Sequence, residues 1–210
     1  MRLVRHIHAC VRLESDGRTL VIDPGEYSEA AAFEAATEIL ITHEHHDHLD
    51  IDRLGKAVAA NPALRVYAPE SVVADQLAGL GGAATAVAPG DTFTAAGFAI
   101  RVVGGAHAEI YEGLPRCANV GYLVDDAVYH PGDALFVPDV PVDTLLVPVS
   151  APWLKLAEAL DFVRAVRPRR AYPIHDAMLS DIGQQGTDRW LAMKGGTDYT
   201  RIPVGGSVPL

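Results

Sequence analysis

The sequence has little lysine, little cysteine and no long apolar run. Lysine occurs only at Lys56, Lys155 and Lys194, and Lys plus Arg number 17 against 27 Asp plus Glu, a formal charge of −10. That shortage of cations argues against nucleic acid or an anionic membrane as a partner, since either calls for a basic surface. Cys10 and Cys117 form no Cys-x-x-Cys pair, which reads as two free thiols in a reducing cytoplasm rather than a disulfide scaffold. Nowhere do about 18 uncharged apolar residues run together, so no membrane span is expected. The opening Met1-Arg2-Leu3-Val4-Arg5 lacks the basic and then apolar regions of a secretory signal. Repeats, low-complexity segments and Ser/Pro-rich linkers are missing too, so residues 1–210 are expected to form a single domain.

What is present is a globular composition, 49% hydrophobic and 21% charged, which excludes a disordered or fibrous chain. Residues 2–14 and 19–22 are rich in Val, Ile and Leu and flank Ser15-Asp16-Gly17, a hairpin signal. A short helix is expected over 29–36, a strand over 38–42, a helix over 52–60, a strand over 64–67 and a helix over 70–78. Strands follow at 92–94, 98–103, 120–124 and 127–130, with Asp125-Asp126 as a turn. The apolar run at 144–149 reads as a strand buried on both faces. Helical spacing of Trp153, Leu156, Leu160 and Val163 predicts a helix over 153–167, stopped by Pro168. A strand at 171–174 and a mostly helical tail complete the pattern. Two strand-rich halves joined to helices suggest an α+β chain with two sheets face to face and helices outside.

Nine histidines need explaining. The strongest chemical signal is Thr42-His43-Glu44-His45-His46-Asp47-His48, an H-x-H-x-D-H pattern directly after an apolar strand. In extended chain His43 and His45 point the same way. As the chain turns into a helix, Asp47 and His48 swing toward a neighbouring position. The pattern can offer two imidazoles to one metal ion and a carboxylate plus an imidazole to a second, about 3.5–4 Å away. Two complete shells need more donors, and His107, Asp133 and His175 each lie just past the end of an apolar strand, where open sheets place their sites. His8 and His130 are near strand ends as well and are candidates for proton transfer or for supporting the site. His46, at a free position of the motif, reads as exposed, and Trp153 reads as core packing.

Asp23, His43-x-His45-x-Asp47-His48, His107, Asp133 and His175 together resemble the ordered motifs of the metallo-β-lactamase fold hydrolases across nearly the whole chain. His8-Ala9-Cys10 and Val21-Ile22-Asp23-Pro24 are similar to the L-ascorbate-6-phosphate lactonase-like branch. The resemblance implies a four-layer αββα sandwich with two divalent metals at one edge. His43, His45 and His107 would bind the first metal, Asp47, His48 and His175 the second, and Asp133 would bridge them. Asp23 would hydrogen-bond the ligands or the His-rich loop. A donor set of imidazole and carboxylate without thiolate suits Zn²⁺ and tolerates Mn²⁺.

The expected activity is hydrolysis of an ester, lactone or phosphoester in a small molecule by a metal-bridging hydroxide. Asp47 would orient that nucleophile and take its proton, with His8 and His130 as further catalytic candidates. The alternatives are a metal-dependent phosphodiesterase or nuclease on the same scaffold and a non-catalytic metal-binding module. A small-molecule substrate is expected, with no nucleic acid or membrane partner; self-association as a homo-oligomer is compatible with the sequence.

Overall fold

The structure is a computed structural model that describes residues 1–210. Fourteen strands form two seven-stranded sheets. The first contains β1 (Arg2–Arg5), β2 (Val11–Ser15), β3 (Arg18–Ile22), β4 (Glu38–Leu40), β5 (Arg65–Pro69), β6 (Ala84–Val87) and, from the end of the chain, β14 (Ser207–Pro209), in the order β14-β1-β2-β3-β4-β5-β6. The second contains β7 (Thr92–Ala95), β8 (Phe98–Gly104), β9 (Val120–Val124), β10 (Val128–His130), β11 (Thr144–Pro148), β12 (Arg170–Ile174) and β13 (Asp198–Tyr199), in the order β13-β12-β11-β10-β9-β8-β7. Both sheets are mixed, antiparallel in one half and parallel in the other.

Three apolar clusters define the layers. Leu13, Leu20 and Ile22 of the first sheet pack against Ile100, Tyr122 and Leu146 of the second. Outside the first sheet, Ile39 and Val66 pack on Leu54 of α1 (Ile51–Ala60) and Val72 of α2 (Glu70–Asp75). Outside the second, Leu145 and Ala171 pack on Phe162 and Val163 of α3 (Leu156–Val166) and Leu191 of α4 (Asp181–Lys194). The order is helix, sheet, sheet, helix, the four-layer arrangement expected from the sequence. Each large aliphatic side chain buried this way contributes about 1.5–3 kcal/mol. No helix is long and apolar enough to cross a membrane.

Local chemistry explains the turns. At the β2–β3 hairpin Asp16 and Gly17 both take positive φ, 52° and 74°, the geometry that two-residue hairpin loops select Asp-Gly to fill. Asp125 and Asp126 do the same between β9 and β10. Other expectations need correction. The helix expected over 29–36 is a single 3-10 turn, Ala30–Phe33. The helix expected from residue 153 begins at Leu156, where the Glu158 carboxylate accepts from Lys155 N–H at 2.8 Å, while Ala151 and Leu154 bridge across a turn that contains Trp153. The tail is not mostly helical: after α4 it supplies β13 and β14, which complete the outer edges of the two sheets. Short, half-exposed strands such as β6 and β14 carry no apolar alternation to betray them.

Topology gathers the chemistry at one end. β1, β3 and β4 run in one direction, as do β8, β10 and β12. The segments leaving their C-terminal ends carry His8, Asp23, the His-rich motif, His107, Asp133 and His175. The two sheets are tied together there by backbone bonds from Val120 N–H to Thr42 O, 2.9 Å, and from His175 N–H to His8 O, 3.0 Å.

Candidate metal centre

β4 stops at Leu40, and the chain then bends through Thr42 into the His-rich loop, which ends at the Asp50 cap of α1. The bend is set by Asp23. Its carboxylate accepts from Thr42 N–H at 2.8 Å, from Thr42 Oγ1–H at 2.7 Å and from His48 Nδ1–H at 2.7 Å. Thr42 Oγ1 in turn accepts from His43 Nδ1–H at 2.9 Å. With both Nδ1 atoms acting as donors, His43 and His48 present Nε2 lone pairs to the interior. His107 donates Nδ1–H to Ala108 O at 2.6 Å and His175 donates to Ser150 O at 2.5 Å, so their Nε2 atoms are lone pairs too. A bond that fixes one nitrogen of a histidine in this way orients the other for a metal.

These atoms converge on Asp133. Its Oδ1 lies 3.0 Å from His48 Nε2, and its Oδ2 lies 3.3 Å from His107 Nε2, 3.1 Å from His175 Nε2 and 4.0 Å from His43 Nε2. His48 Nε2, His107 Nε2, His175 Nε2 and Asp133 Oδ1 are all buried without a hydrogen-bond partner. Without a cation among them the carboxylates favour protonated rings at His48 and His175, positions a metal ion would take instead, and buried polar atoms are otherwise almost always paired. The donor set therefore fits divalent metal. Two groups could each hold an ion, with donor atoms within 4.8 Å of one another: His43, His45, His107 and Asp133, and His8, Asp47, His48 and His175. His43 Nε2 and His45 Nδ1 are 3.1 Å apart.

The electrostatics follow the same arrangement. Burial alone would raise the Asp133 carboxyl, but His48, His107 and His175 hold it well below the usual carboxylate range. Burial would also raise Asp47, and His175, His8 and His48 bring it down. Burial lowers an imidazole, and at His48 the Asp133 and Asp23 carboxylates reverse that effect. At His175 the opposing carboxylates of Asp133 and Asp47 raise the ring to about 9. His43, desolvated and beside His48, is pushed well below its ordinary value.

Residues 3–175 match the model of a family described as "Beta-lactamase superfamily domain". The chain belongs to that family. It is 43% identical over 188 residues to Protein Rv0786c of Mycobacterium tuberculosis, a match covering 86% of each chain. It is also 28% identical over 195 residues to a UPF0173 metal-dependent hydrolase of Lysinibacillus sphaericus, covering 83% of this chain and 85% of the relative. Among solved structures, Igni18, a metallo hydrolase from Ignicoccus hospitalis, superposes with a TM-score of 0.77 at 20% identity, covering 99% of this chain and 97% of the other. The architecture is the metallo-β-lactamase fold.

Within this superfamily fold, the contacts of three side chains narrow or change the roles that the sequence left open. His130 does not face the cluster: it is fully buried, its Nε2–H donates to Ala9 O at 2.9 Å and its Nδ1 accepts from Gly132 N–H at 3.1 Å. Both nitrogens are committed to backbone, which removes it from proton transfer. His8 is inside the second donor group, yet its Nδ1 accepts from Ala177 N–H at 3.3 Å, which makes Nε2–H the donor to Asp47 Oδ2 at 3.0 Å. Trp153 is not plain core packing, because its Nε1–H donates to Asp133 Oδ2 at 3.1 Å. His46 is exposed.

Sequence reasoning missed Thr42 and Asn119. Asn119, buried between β8 and β9, accepts from Asp133 N–H at 2.9 Å and donates to Pro131 O at 2.9 Å. It braces a turn in which Gly132 takes φ +61° and has no room for a Cβ, since one would lie 2.3 Å from Asn119 Oδ1. The one advance sign was Gly132 directly before Asp133.

The His130 geometry makes an acid-stability prediction. Burial holds its pKa below the ordinary value, whereas the unfolded ring protonates near about 6.5. The unfolded state takes the proton first, so the stability His130 contributes is complete above that pH and is lost as pH falls through the folded value. In chelator-treated samples, the melting-midpoint gap between wild type and His130→Gln is expected to narrow as the pH drops from about 7.5 to about 5.5. A gap that stays constant would contradict this assignment.

Proposed function

We propose that the chain is a hydrolase that uses two divalent metal ions, Zn²⁺ or Mn²⁺, to cleave an ester, lactone or phosphoester bond in a small molecule. The observation that carries this reading is the convergence of three partnerless buried Nε2 atoms on the Asp133 carboxylate. The name of the Lysinibacillus relative, a metal-dependent hydrolase, agrees with it. His43, His45 and His107 would hold one ion, Asp47, His48 and His175 the other, and Asp133 would reach both. When bound, such ions acidify water to a nucleophile at neutral pH and polarise the bond to be cleaved.

The chain's own residues prepare the rest. Asp23 and the carbonyls of Ala108 and Ser150 keep the Nε2 atoms turned inward. Trp153 donates to Asp133 Oδ2, the oxygen that also faces His107 and His175, and leaves Oδ1 to His48. Asp47 is the most accessible carboxylate of the set, with 16% of its side chain exposed, and would orient the attacking water and take its proton. His8 acts through Asp47 by donating to its Oδ2, so it is a positioning residue and not a base. Its backbone and that of His175 are held at φ 66° and 60°, each costing about 1–3 kcal/mol, and the His175 N–H to His8 O bond maintains both. His8→Ala is expected to lower kcat by about 10–100-fold, the usual effect of removing a residue that orients a metal site. His8→Gln, which keeps an N–H donor, recovers part of the rate. Equal losses in both variants would show that the donated bond does not matter.

The finer assignment to the lactonase-like branch rests on His8-Ala9-Cys10 and Val21-Ile22-Asp23-Pro24. The deciding assay compares a lactone and ester panel with bis-p-nitrophenyl phosphate on the Zn²⁺ and Mn²⁺ forms. Turnover of lactones or esters above that of the phosphodiester supports the reading. Preference for the phosphodiester favours the phosphodiesterase alternative, and a metal-loaded protein inert to all of them favours a binding module.

A further inference from the structure

A cavity of about 520 Å³ opens beside the metal centre. Ala106 and Ala108, which flank His107, and Ala134, which follows Asp133, leave its inner wall small; Leu135, Phe136 and Trp153 supply its apolar side. Trp153 joins cavity and cluster, because the same indole that lines the cavity donates to Asp133 Oδ2. A group bound here sits against a wall that is in direct contact with the reacting centre.

Arg116 stands on the rim of this cavity. Its Nε–H donates to His107 O at 2.7 Å, which pins the guanidinium on a residue of the metal cluster. Its terminal nitrogens have no protein acceptor and it makes no ion pair. Two carboxylates also line the cavity: Glu158 is engaged, since it accepts from Lys155 N–H at 2.8 Å and lies 3.8 Å from Lys155 Nζ, and Glu109 makes no ion pair with Arg116. A guanidinium fixed at one nitrogen and open at the others is a preformed fork for two anionic oxygens, and little conformational freedom remains to be lost on binding. In a chain of net charge −10, an uncommitted cation beside an apolar cavity at the reaction centre is a selective feature.

The geometry points to Arg116 as the specificity determinant for a substrate with an apolar body in this cavity and an anionic group, carboxylate or phosphate, at its far end. The inference rests on the hydrolase reading for the bond cleaved, but the binding it asserts does not. Two measurements separate them. In the first, the metal-loaded protein is assayed with mono-p-nitrophenyl glutarate and with p-nitrophenyl pentanoate, esters of matched length with and without a carboxylate. Wild type is expected to favour the charged ester in kcat/KM by about tenfold or more, the scale of one charge-assisted hydrogen bond. Arg116→Gln collapses that ratio through a higher KM for the charged ester, and Arg116→Lys keeps part of it. In the second, phenylbutyrate, phenylbutyl phosphate and phenylbutyramide are titrated calorimetrically into the same proteins. The anions bind wild type more tightly than the amide, and Arg116→Gln removes the difference; which anion binds better distinguishes a carboxylate from a phosphate.

Anion binding that depends on Arg116 without hydrolysis of either ester overturns the hydrolase reading and leaves this one standing. An unchanged ratio and unchanged anion binding in Arg116→Gln overturn the inference. Metal content is measured alongside, because Arg116 also holds His107 O. If Arg116→Gln loses metal, Arg116→Lys decides, and a ratio equal to that of wild type refutes the fork.

Discussion

Asp133→Ala is expected to abolish metal binding at both halves of the centre and, with it, hydrolysis. Asp133 is the one side chain whose two oxygens approach imidazoles of both donor groups: Oδ1 is 3.0 Å from His48 Nε2, while Oδ2 is 3.3 Å from His107 Nε2 and 3.1 Å from His175 Nε2. It is also the carboxylate that keeps His48 and His175 attractive to cations against the cost of burial. Removing it leaves His43, His45 and His107 facing one another with no carboxylate among them. Elemental analysis should therefore find fewer than one ion per chain in the variant. His45→Ala removes a donor from one half only, so it is expected to lose the first ion while weakening the second. If both variants retained two tightly held ions per chain, the ligand assignment would be wrong.

Asp23→Ala is expected to have the largest effect on folding of any single change at the site. The carboxylate is fully buried and accepts three hydrogen bonds, from Thr42 N–H, Thr42 Oγ1–H and His48 Nδ1–H. Deleting it strands all three donors, a loss of about 3–5 kcal/mol by comparison with broken buried charge pairs. Whatever folds should also bind metal about 10–100-fold more weakly, because nothing then holds the His48 Nε2 inward. Thermal denaturation with and without added Zn²⁺ separates the two effects. A variant with wild-type stability and wild-type metal affinity would mean that the Thr42 bend and the His48 tautomer are fixed by something else.

Much of the architecture can be read from residues alone because the relevant signals are local. Asp16-Gly17 demands a two-residue hairpin, and the buried run around Thr144 to Val149 has no polar face to show solvent. The H-x-H-x-D-H motif and the placement of His107, Asp133 and His175 after apolar strands are also properties of single segments. What escapes such reading depends on pairs of segments distant in sequence. β14 exists because Leu3 has an unpaired edge for Val208 to meet. Trp153 leaves the expected helix because the Glu158 carboxylate, accepting from Lys155 N–H, starts it later, and only the fold puts its indole on Asp133. Nothing adjacent in sequence distinguishes His8 from His130; one donates to Asp47 and the other is spent on Ala9 O and Gly132 N–H, with His130 the last residue of β10 and His8 three residues past β1.

The proposed centre would hold two divalent ions and perform hydrolysis. Its most direct test is a stoichiometric titration of chelator-treated, tag-free protein with Zn²⁺ or Mn²⁺, in which bound metal and turnover of an ester or lactone are followed on the same sample. The account predicts saturation at two ions per chain and hydrolysis that rises with metal uptake and disappears on chelation. Saturation below two ions, or hydrolysis that persists after the metal is removed, would contradict it.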